Sequence, residues 1–206
     1  EEVEKLIDEN TIAVGAILGT TYSGQVDPIE ELNDLLVDIK KKKGWDIPLH
    51  IDAASGGFVT PFTFPNFKWD FRLEQVKSIN VSGHKYGLVY PGCGWIIWKD
   101  ESDFPEELVF KVDYLGGWMP TYTLNFSRSS IGVLAQYYNF LRLGEEGYTA
   151  IMKNCLDNAS YLGSLLEKSG KFTLIHKGDC LPIVAMRLKE GDFFALSDKL
   201  RARGWI

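Results

Sequence analysis

Apolar residues fall into short runs separated by polar loops, and the run Thr11–Thr20 (TIAVGAILGT) is almost continuous. A run without alternation predicts a strand buried on both faces. After a polar loop through Gly24 comes a helix with end signals: Asp27 as cap, Pro28 at the first helical position and Glu30 three residues after the cap. Ile29, Leu32, Leu35, Leu36 and Ile39 recur at helical spacing and mark its inward face. Lys40 to Lys43 fill the last turn, where cations complement the helix dipole, and Gly44 is a suitable stop. Ile47–Ile51 predict a second short buried strand ending at Asp52, Val76–Val81 a third running into Ser82-Gly83-His84-Lys85, and Gly94–Lys99 a fourth. This alternation predicts an α/β fold, a mainly parallel sheet flanked by helices. Residues 111–128 read as loop, followed by helices over 130–143 and 145–168, a strand over Leu181–Leu188 and a helix from an Asp192 cap to Gly204.

Composition narrows the class. The chain has 206 residues, 45% hydrophobic and 24% charged, enough for one domain or one domain and part of another. No apolar run approaches the roughly 20 residues of a membrane-spanning helix. The net charge is −6, and Lys and Arg are scattered, which argues against a nucleic-acid surface. Cys93, Cys155 and Cys180 are odd in number and form no CxxC pair, as expected of free thiols in a reducing compartment such as the cytoplasm. No metal is implied. The first residue is Glu1, and the chain stops at Arg-Gly-Trp-Ile, just after the last expected helix, so it is expected to be a piece of a longer protein.

In open α/β sheets, ligands gather beyond the carboxyl ends of the strands. Thr20-Thr21, Asp52 and Lys85 all fall there. Two readings stand open. Asp52 and Lys85 form a structural ion pair or face solvent, or they are an electrostatic partner and a nucleophilic amine for a cofactor. The small residues Ala53-Ala54-Ser55-Gly56-Gly57 after Asp52 would let a flat ring approach the backbone. His84 adds a tunable donor, and Ser82 a hydroxyl for an anionic group. An aldehyde cofactor with a protonated ring nitrogen needs such an aspartate and such a lysine. His50, two residues before Asp52, points to the same side of its strand. It either tunes the aspartate or is a satisfied core histidine. His176 is expected at the surface, and Cys93 as a packing residue, with no adjacent base to activate it. Gly92-Cys93-Gly94 begins a dinucleotide-like pattern, but no third glycine follows.

His50-Ile51-Asp52-Ala53-Ala54-Ser55-Gly56-Gly57 and Ser82-Gly83-His84-Lys85-Tyr86-Gly87 resemble the signature stretches of group II pyridoxal-phosphate-dependent decarboxylases. Trp69-Asp70-Phe71-Arg72, Pro91-Gly92-Cys93-Gly94-Trp95, Asp113-Tyr114-Leu115-Gly116-Gly117, Asn125-Phe126-Ser127-Arg128 and the segment Gln136–Arg142 resemble the glutamate decarboxylase branch. The resemblance runs from about Thr11 to Ile206. It implies the large cofactor domain of the fold type I enzymes, truncated at both ends, over residues 1–170, with 171–206 opening a truncated C-terminal small domain. The implied activity is decarboxylation of glutamate to 4-aminobutanoate and carbon dioxide with pyridoxal 5'-phosphate, in a cytoplasmic homodimer or higher homo-oligomer. The fragment itself is expected to lack a complete site. The alternatives are a decarboxylase of another amino acid, an aminotransferase or desulfurase using the same cofactor, and a non-catalytic truncated homologue.

By the same resemblance, Lys85 holds the cofactor as a Schiff base and Asp52 pairs with the ring nitrogen. Ala54 packs on one ring face, and Thr21, with Thr20, sits near Asp52 or the ring substituents. Ser82 and His84 contact the phosphate or orient the imine. Ser127 reaches the phosphate of a neighbouring subunit, unless it merely caps the helix beginning near Ser130. Tyr114 lies in a loop whose tyrosine helps protonate the substrate carbon, unless it only packs.

Overall fold

Strands form where the apolar runs fall; the first, second and fourth are shorter than the runs, whereas the third extends through Ser82. The computed structural model describes residues 2–113, 116–123 and 127–205. In chain order the elements are α1 (Glu2–Leu6), β1 (Val14–Ile17), α2 (Ile29–Lys43), β2 (Leu49–Asp52), α3 (Thr60–Thr63), β3 (Val76–Ser82), β4 (Gly94–Trp98), β5 (Phe110–Val112), β6 (Met119–Thr121), α4 (Ile131–Lys168), β7 (Phe172–Lys177), β8 (Val184–Leu188) and α5 (Phe193–Arg201). One sheet has the order β1-β2-β3-β4, with β1, β2 and β3 mutually parallel and β4 antiparallel to β3. Ile17 pairs with Asp52, and Asp52 with Asn80, so the carboxyl ends of the three parallel strands lie level along one edge. Helices flank this mainly parallel sheet, as the alternating pattern predicts.

The first strand departs from expectation. β1 spans only four residues and alternates in burial, with Ala16 inside and Ile17 exposed. It is the outermost strand of the sheet among the described residues, and its burial pattern shows that only the face of Ala16 is covered. Asp27 does not cap α2. Its carboxylate accepts from the Ile17 N–H at 2.7 Å, tying the helix entry back to β1. Pro28 takes the cap position, no side chain caps the first turn, and the helix begins at Ile29. The lysine run does occupy the last turn of α2, with Gly44 left-handed at φ 74. Lys40 pairs with Asp46 at 3.0 Å, Lys42 with Asp38 at 3.2 Å, and Lys43 lies 4.3 Å above the Trp45 ring.

The core joins Ile29, Leu36 and Ile39 of α2 to Leu49, Ile51, Val76 and Ile79 of the sheet. Asn33, buried in the same helix, accepts from the Gln75 N–H at 3.0 Å and so ties α2 to the start of β3. α4 is two helices joined at Gly144, whose φ of 60 and ψ of −167 break the helical path where the sequence predicts a boundary. β5, β6 and β7 are additional to the expected elements; β5 pairs with β6, and β7 with the expected β8, both antiparallel. β8 begins at Val184 rather than Leu181, because the fully buried Leu181 is an anchor that packs on Gly19. Asp192 caps α5 as predicted, accepting from the Phe194 N–H at 2.8 Å, but the helix ends at Arg201. His176 is not at the surface. It is buried, donates from Nδ1 to the Ile183 carbonyl at 2.7 Å and lies 3.0 Å from Cys180 Sγ, closing the β7–β8 turn over Gly24.

Candidate active site

β2 ends at Asp52 because the chain turns at once into a tight loop, in which Asp52 Oδ1 accepts from the Ala54 N–H at 3.1 Å. The same oxygen accepts from Asn80 Nδ2 on β3 at 2.9 Å. His50 lies one alternation earlier on the same strand face. Its Nε2 is 2.8 Å from Asn80 Oδ1 and its Nδ1 2.7 Å from Ser78 Oγ. His50 is therefore a satisfied, half-buried histidine that is also wired through Asn80 to Asp52. Among the described residues Asp52 has no ion pair with Lys85 or with any other cation. The structural ion pair that the sequence left open is absent.

Lys85 stands exposed in the loop after β3, and its Nζ donates to Ser55 Oγ at 3.2 Å. That bond brings the lysine loop onto the turn that carries Asp52. The loop is held from behind by α4. Gln136 Nε2 and Tyr148 Oη both donate to the Gly87 carbonyl at 3.0 Å, Gln136 Nε2 also donates to Tyr148 Oη at 3.0 Å, and Asn139 Nδ2 donates to the Leu88 carbonyl at 3.0 Å. Leu88 has φ 63, the left-handed region that a branched side chain rarely adopts, and its carbonyl is held in this conformation by Asn139. A Cβ on Gly87 would sit 2.5 Å from the Gly83 carbonyl oxygen, so the tight turn around Lys85 requires glycine. Burial pushes the Tyr148 hydroxyl above its ordinary pKa, and its hydrogen bond with Gln136 opposes that shift.

Among the small residues after Asp52, Gly56 and Gly57 have a packing task. A Cβ on Gly56 would meet the Leu18 carbonyl oxygen at 2.4 Å, and one on Gly57 the Val81 side chain at 2.8 Å. Both glycines therefore serve loop-on-sheet packing. Ala53 is fully buried, and Ala54 is the half-buried residue of the pair. Ser82 is half-buried, and its N–H donates to the Ala54 carbonyl at 3.3 Å. His84 is exposed. Thr20 Oγ1 is engaged 2.7 Å from Ser23 Oγ within its own turn, and Thr21 is exposed beside it. Ser127 is exposed and does not cap α4, since Ser129 Oγ accepts from the Ile131 N–H at 3.2 Å. Tyr114 lies outside the described residues. Cys93 is buried among packing neighbours, and burial pushes its thiol pKa up, away from nucleophilic use. Arg72 of the Trp69–Arg72 motif donates to the Pro65 and Phe67 carbonyls at 2.9 and 2.6 Å and to Asp70 at 2.9 Å, a loop staple.

Asn80, Ser55, Gln136 and Tyr148 escaped the sequence reading as site residues. For Asn80 a signal existed: Ser78, Asn80 and Ser82 recur at every second position of β3, on the face of His50 and Asp52. The partners of Gln136 and Tyr148 lie 49 and 61 residues away, and no local pattern announces them.

A family model described as the pyridoxal-dependent decarboxylase conserved domain matches residues 1–189. The chain is 54% identical over 209 residues to a glutamate decarboxylase of Petunia hybrida, covering 100% of this chain and 42% of that protein. It is 52% identical to a glutamate decarboxylase of Aliivibrio fischeri, with coverages of 100% and 46%. Among solved structures, a Lactobacillus brevis glutamate decarboxylase matches with a TM-score of 0.93 at 46% identity, covering 99% of this chain and 47% of that one. A sphingosine-1-phosphate lyase of Burkholderia pseudomallei matches with a TM-score of 0.82 at 27% identity, covering 99% and 46%. The chain thus spans less than half the length of these relatives.

Proposed function

Because the chain belongs to the pyridoxal-dependent decarboxylase family, we propose that the protein containing it removes the α-carboxylate of L-glutamate as carbon dioxide, giving 4-aminobutanoate with pyridoxal 5'-phosphate as cofactor. The observation that carries this reading is the pairing of an unneutralised carboxylate with an accessible lysine on adjoining turns at the carboxyl edge of the sheet. The donor set fits the cofactor. Asp52 takes both its hydrogen bonds on Oδ1, and among the described residues Oδ2 has none, so one oxygen is available to a ring N–H. Lys85 Nζ is held by a neutral serine hydroxyl rather than by a carboxylate, so its amine is not neutralised by an ion pair.

When bound, pyridoxal phosphate supplies an aldehyde for an amine and a ring that withdraws electrons from the reacting carbon. Lys85 is the amine that would hold it covalently. Asp52 would accept from the ring N–H and hold its proton, with Oδ2 as the oxygen left available. Ala54 offers a small apolar face to the ring, and Ser82 and His84 flank the lysine as donors for the phosphate. Thr20 and Thr21 border the same edge. Ser127 is assigned to the phosphate of a neighbouring subunit in a homodimer, a role supported by its freedom from capping and by the exposed apolar residues Ile131, Leu134 and Leu141 that follow it. Tyr114 is assigned to proton delivery at the substrate carbon. Residues 1–170 form the central part of the cofactor domain, and 171–206 open the next domain. Three unpaired cysteines support a cytoplasmic setting.

The test is a borohydride trap on the full-length protein loaded with pyridoxal phosphate, followed by digestion. A stoichiometric phosphopyridoxyl adduct confined to the Lys85 peptide, and its loss in Lys85→Ala, are the expected results. Product analysis with glutamate, aspartate and tyrosine then assigns the substrate. Scattered labelling, a keto acid in place of carbon dioxide, or a preference for another amino acid overturns the reading.

A further inference from the structure

We infer that Asn80, oriented by His50 and Ser78, is a positioning residue that aims Asp52 at the cofactor ring; the inference rests on the pyridoxal phosphate reading above. The polarity of the chain of bonds follows from its end. An ionised carboxylate only accepts, so the Asn80 amide must turn its NH2 group to Asp52 Oδ1, 2.9 Å away. Asn80 Oδ1 is then an acceptor, and His50 Nε2, 2.8 Å away, must carry a proton to donate to it. With Nε2 protonated in a neutral imidazole, Nδ1 accepts from the Ser78 hydroxyl at 2.7 Å. Donation then runs one way, from Ser78 through His50 and Asn80 to Asp52.

Two consequences follow for Asp52. The Asn80 and Ala54 donors converge on a single oxygen, which fixes the carboxylate rotamer and leaves Oδ2 facing away from the sheet contacts. Among the described residues no cation is spent on the carboxylate, so its charge remains for a protonated ring nitrogen. An arginine or lysine at position 80 would give the same rotamer but neutralise the charge; an asparagine gives direction alone. The parallel register places Asn80 opposite Asp52, and strand alternation places His50 and Ser78 one step back on the same face, so the relay is built into β2 and β3 rather than into a loop.

The experiment uses full-length protein loaded with pyridoxal phosphate carrying 15N at the ring nitrogen, in wild type, Asn80→Ala, His50→Phe and His50→Gln. The readouts are the ring 15N shift as a function of pH, the cofactor dissociation constant, and the borohydride adduct at Lys85. Asn80→Ala is expected to move the ring nitrogen toward its unprotonated shift and to weaken cofactor binding about tenfold, the scale of one charge-assisted hydrogen bond. His50→Phe moves both in the same direction by about threefold, as loss of a neutral hydrogen bond would. His50→Gln, whose amide can still donate to Asn80, restores the wild-type shift. Should Asn80→Ala not fold, the His50 pair carries the test alone, since Asn80 and Asp52 are intact in both. An unchanged ring shift in folded variants that still label at Lys85 overturns the assignment of Asn80. Absence of the adduct in wild type overturns instead the cofactor reading beneath it.

Discussion

The Gly87 carbonyl, two residues beyond Lys85, receives two donors from α4, and removing them one at a time or together should give very different results. Tyr148→Phe deletes only a hydroxyl. The ring keeps its stacking partners Phe62 at 5.1 Å and Phe58 at 5.7 Å, and Gly87 keeps the Gln136 amide. The hydroxyl's bond to Gly87 and the bond it accepts from Gln136 are both lost, so the expected destabilisation is about 1–2 kcal/mol. Gln136→Leu removes the other donor and, with it, the buried Gln136 Oε1, which has no hydrogen-bond partner. Relief of that unpaired oxygen offsets part of the loss, so this variant should cost no more than about 1 kcal/mol. The double variant strips the buried carbonyl of both donors, and only then does its full desolvation penalty of about 1–3 kcal/mol emerge. The Gln136–Tyr148 bond is broken in either single variant and so counts twice in their sum, which takes about 1 kcal/mol off that penalty; the cycle should be non-additive by about 1 kcal/mol, and at most about 2 kcal/mol, in the destabilising direction. Urea unfolding of the four full-length proteins at one protein concentration, with matched slopes, measures it. Because Gly87 closes the turn that carries Lys85, the double variant should also trap less pyridoxal phosphate at Lys85 than either single variant. Additivity within about 0.5 kcal/mol would refute the clamp.

Asp52→Asn keeps an oxygen able to accept from Ala54 and Asn80, so fold and partial cofactor binding should survive. Carbon dioxide release should fall about 10²–10³-fold, the scale of removing one preorganised charge contact, and near-normal turnover would count against the assigned role. Acid stability should track Asp70. Burial pushes its carboxyl up, but the Arg72 guanidinium and the Arg72 N–H outweigh this and hold it below the ordinary value. A folded pKa below the unfolded one means stability that is complete above about pH 4 and lost as pH falls through the folded value. Asp46, lowered by Gln75 and then Lys40, acts in the same direction. Asp70→Asn should thus unfold at lower urea at pH 7 and show a flatter decline between about pH 4 and 2.

What the sequence disclosed and what it withheld divide along physical lines. The helical spacing of Ile29 to Ile39, the break at Gly144 and the cap at Asp192 depend on neighbours within one or two turns, and each is found where the local pattern puts it. Asp27 shows the limit of that logic. A capping residue is recognised by its position before a helix, yet the Ile17 N–H on a neighbouring strand reached the carboxylate first. Gly56 and Gly57 show a second limit. Their small size was legible, but whether it admits a ligand or a neighbouring strand depends on Leu18 and Val81, residues distant in sequence.

The candidate site follows the same rule with one instructive exception. Asp52 and Lys85 were legible because a carboxylate and an amine after consecutive apolar strands have few structural uses. The residues that aim them were silent for two different reasons. Gln136 and Tyr148 sit on a helix whose facing partner is a loop some fifty to sixty residues earlier, so only tertiary packing reveals them. Asn80, by contrast, lies in a strand whose period is two, and its neighbours Ser78 and Ser82 share its face. A strand with Ile79 and Val81 on one face and Ser, Asn, Ser on the other must satisfy those groups against the adjacent strand, and the only polar side chains β2 offers on that face are His50 and Asp52. The alternation therefore contained the whole relay before any coordinate was known. A polar stripe inside a central parallel strand is best explained by the ionised group at its end, because each neutral donor in the stripe is oriented by the need to point its last proton at that charge.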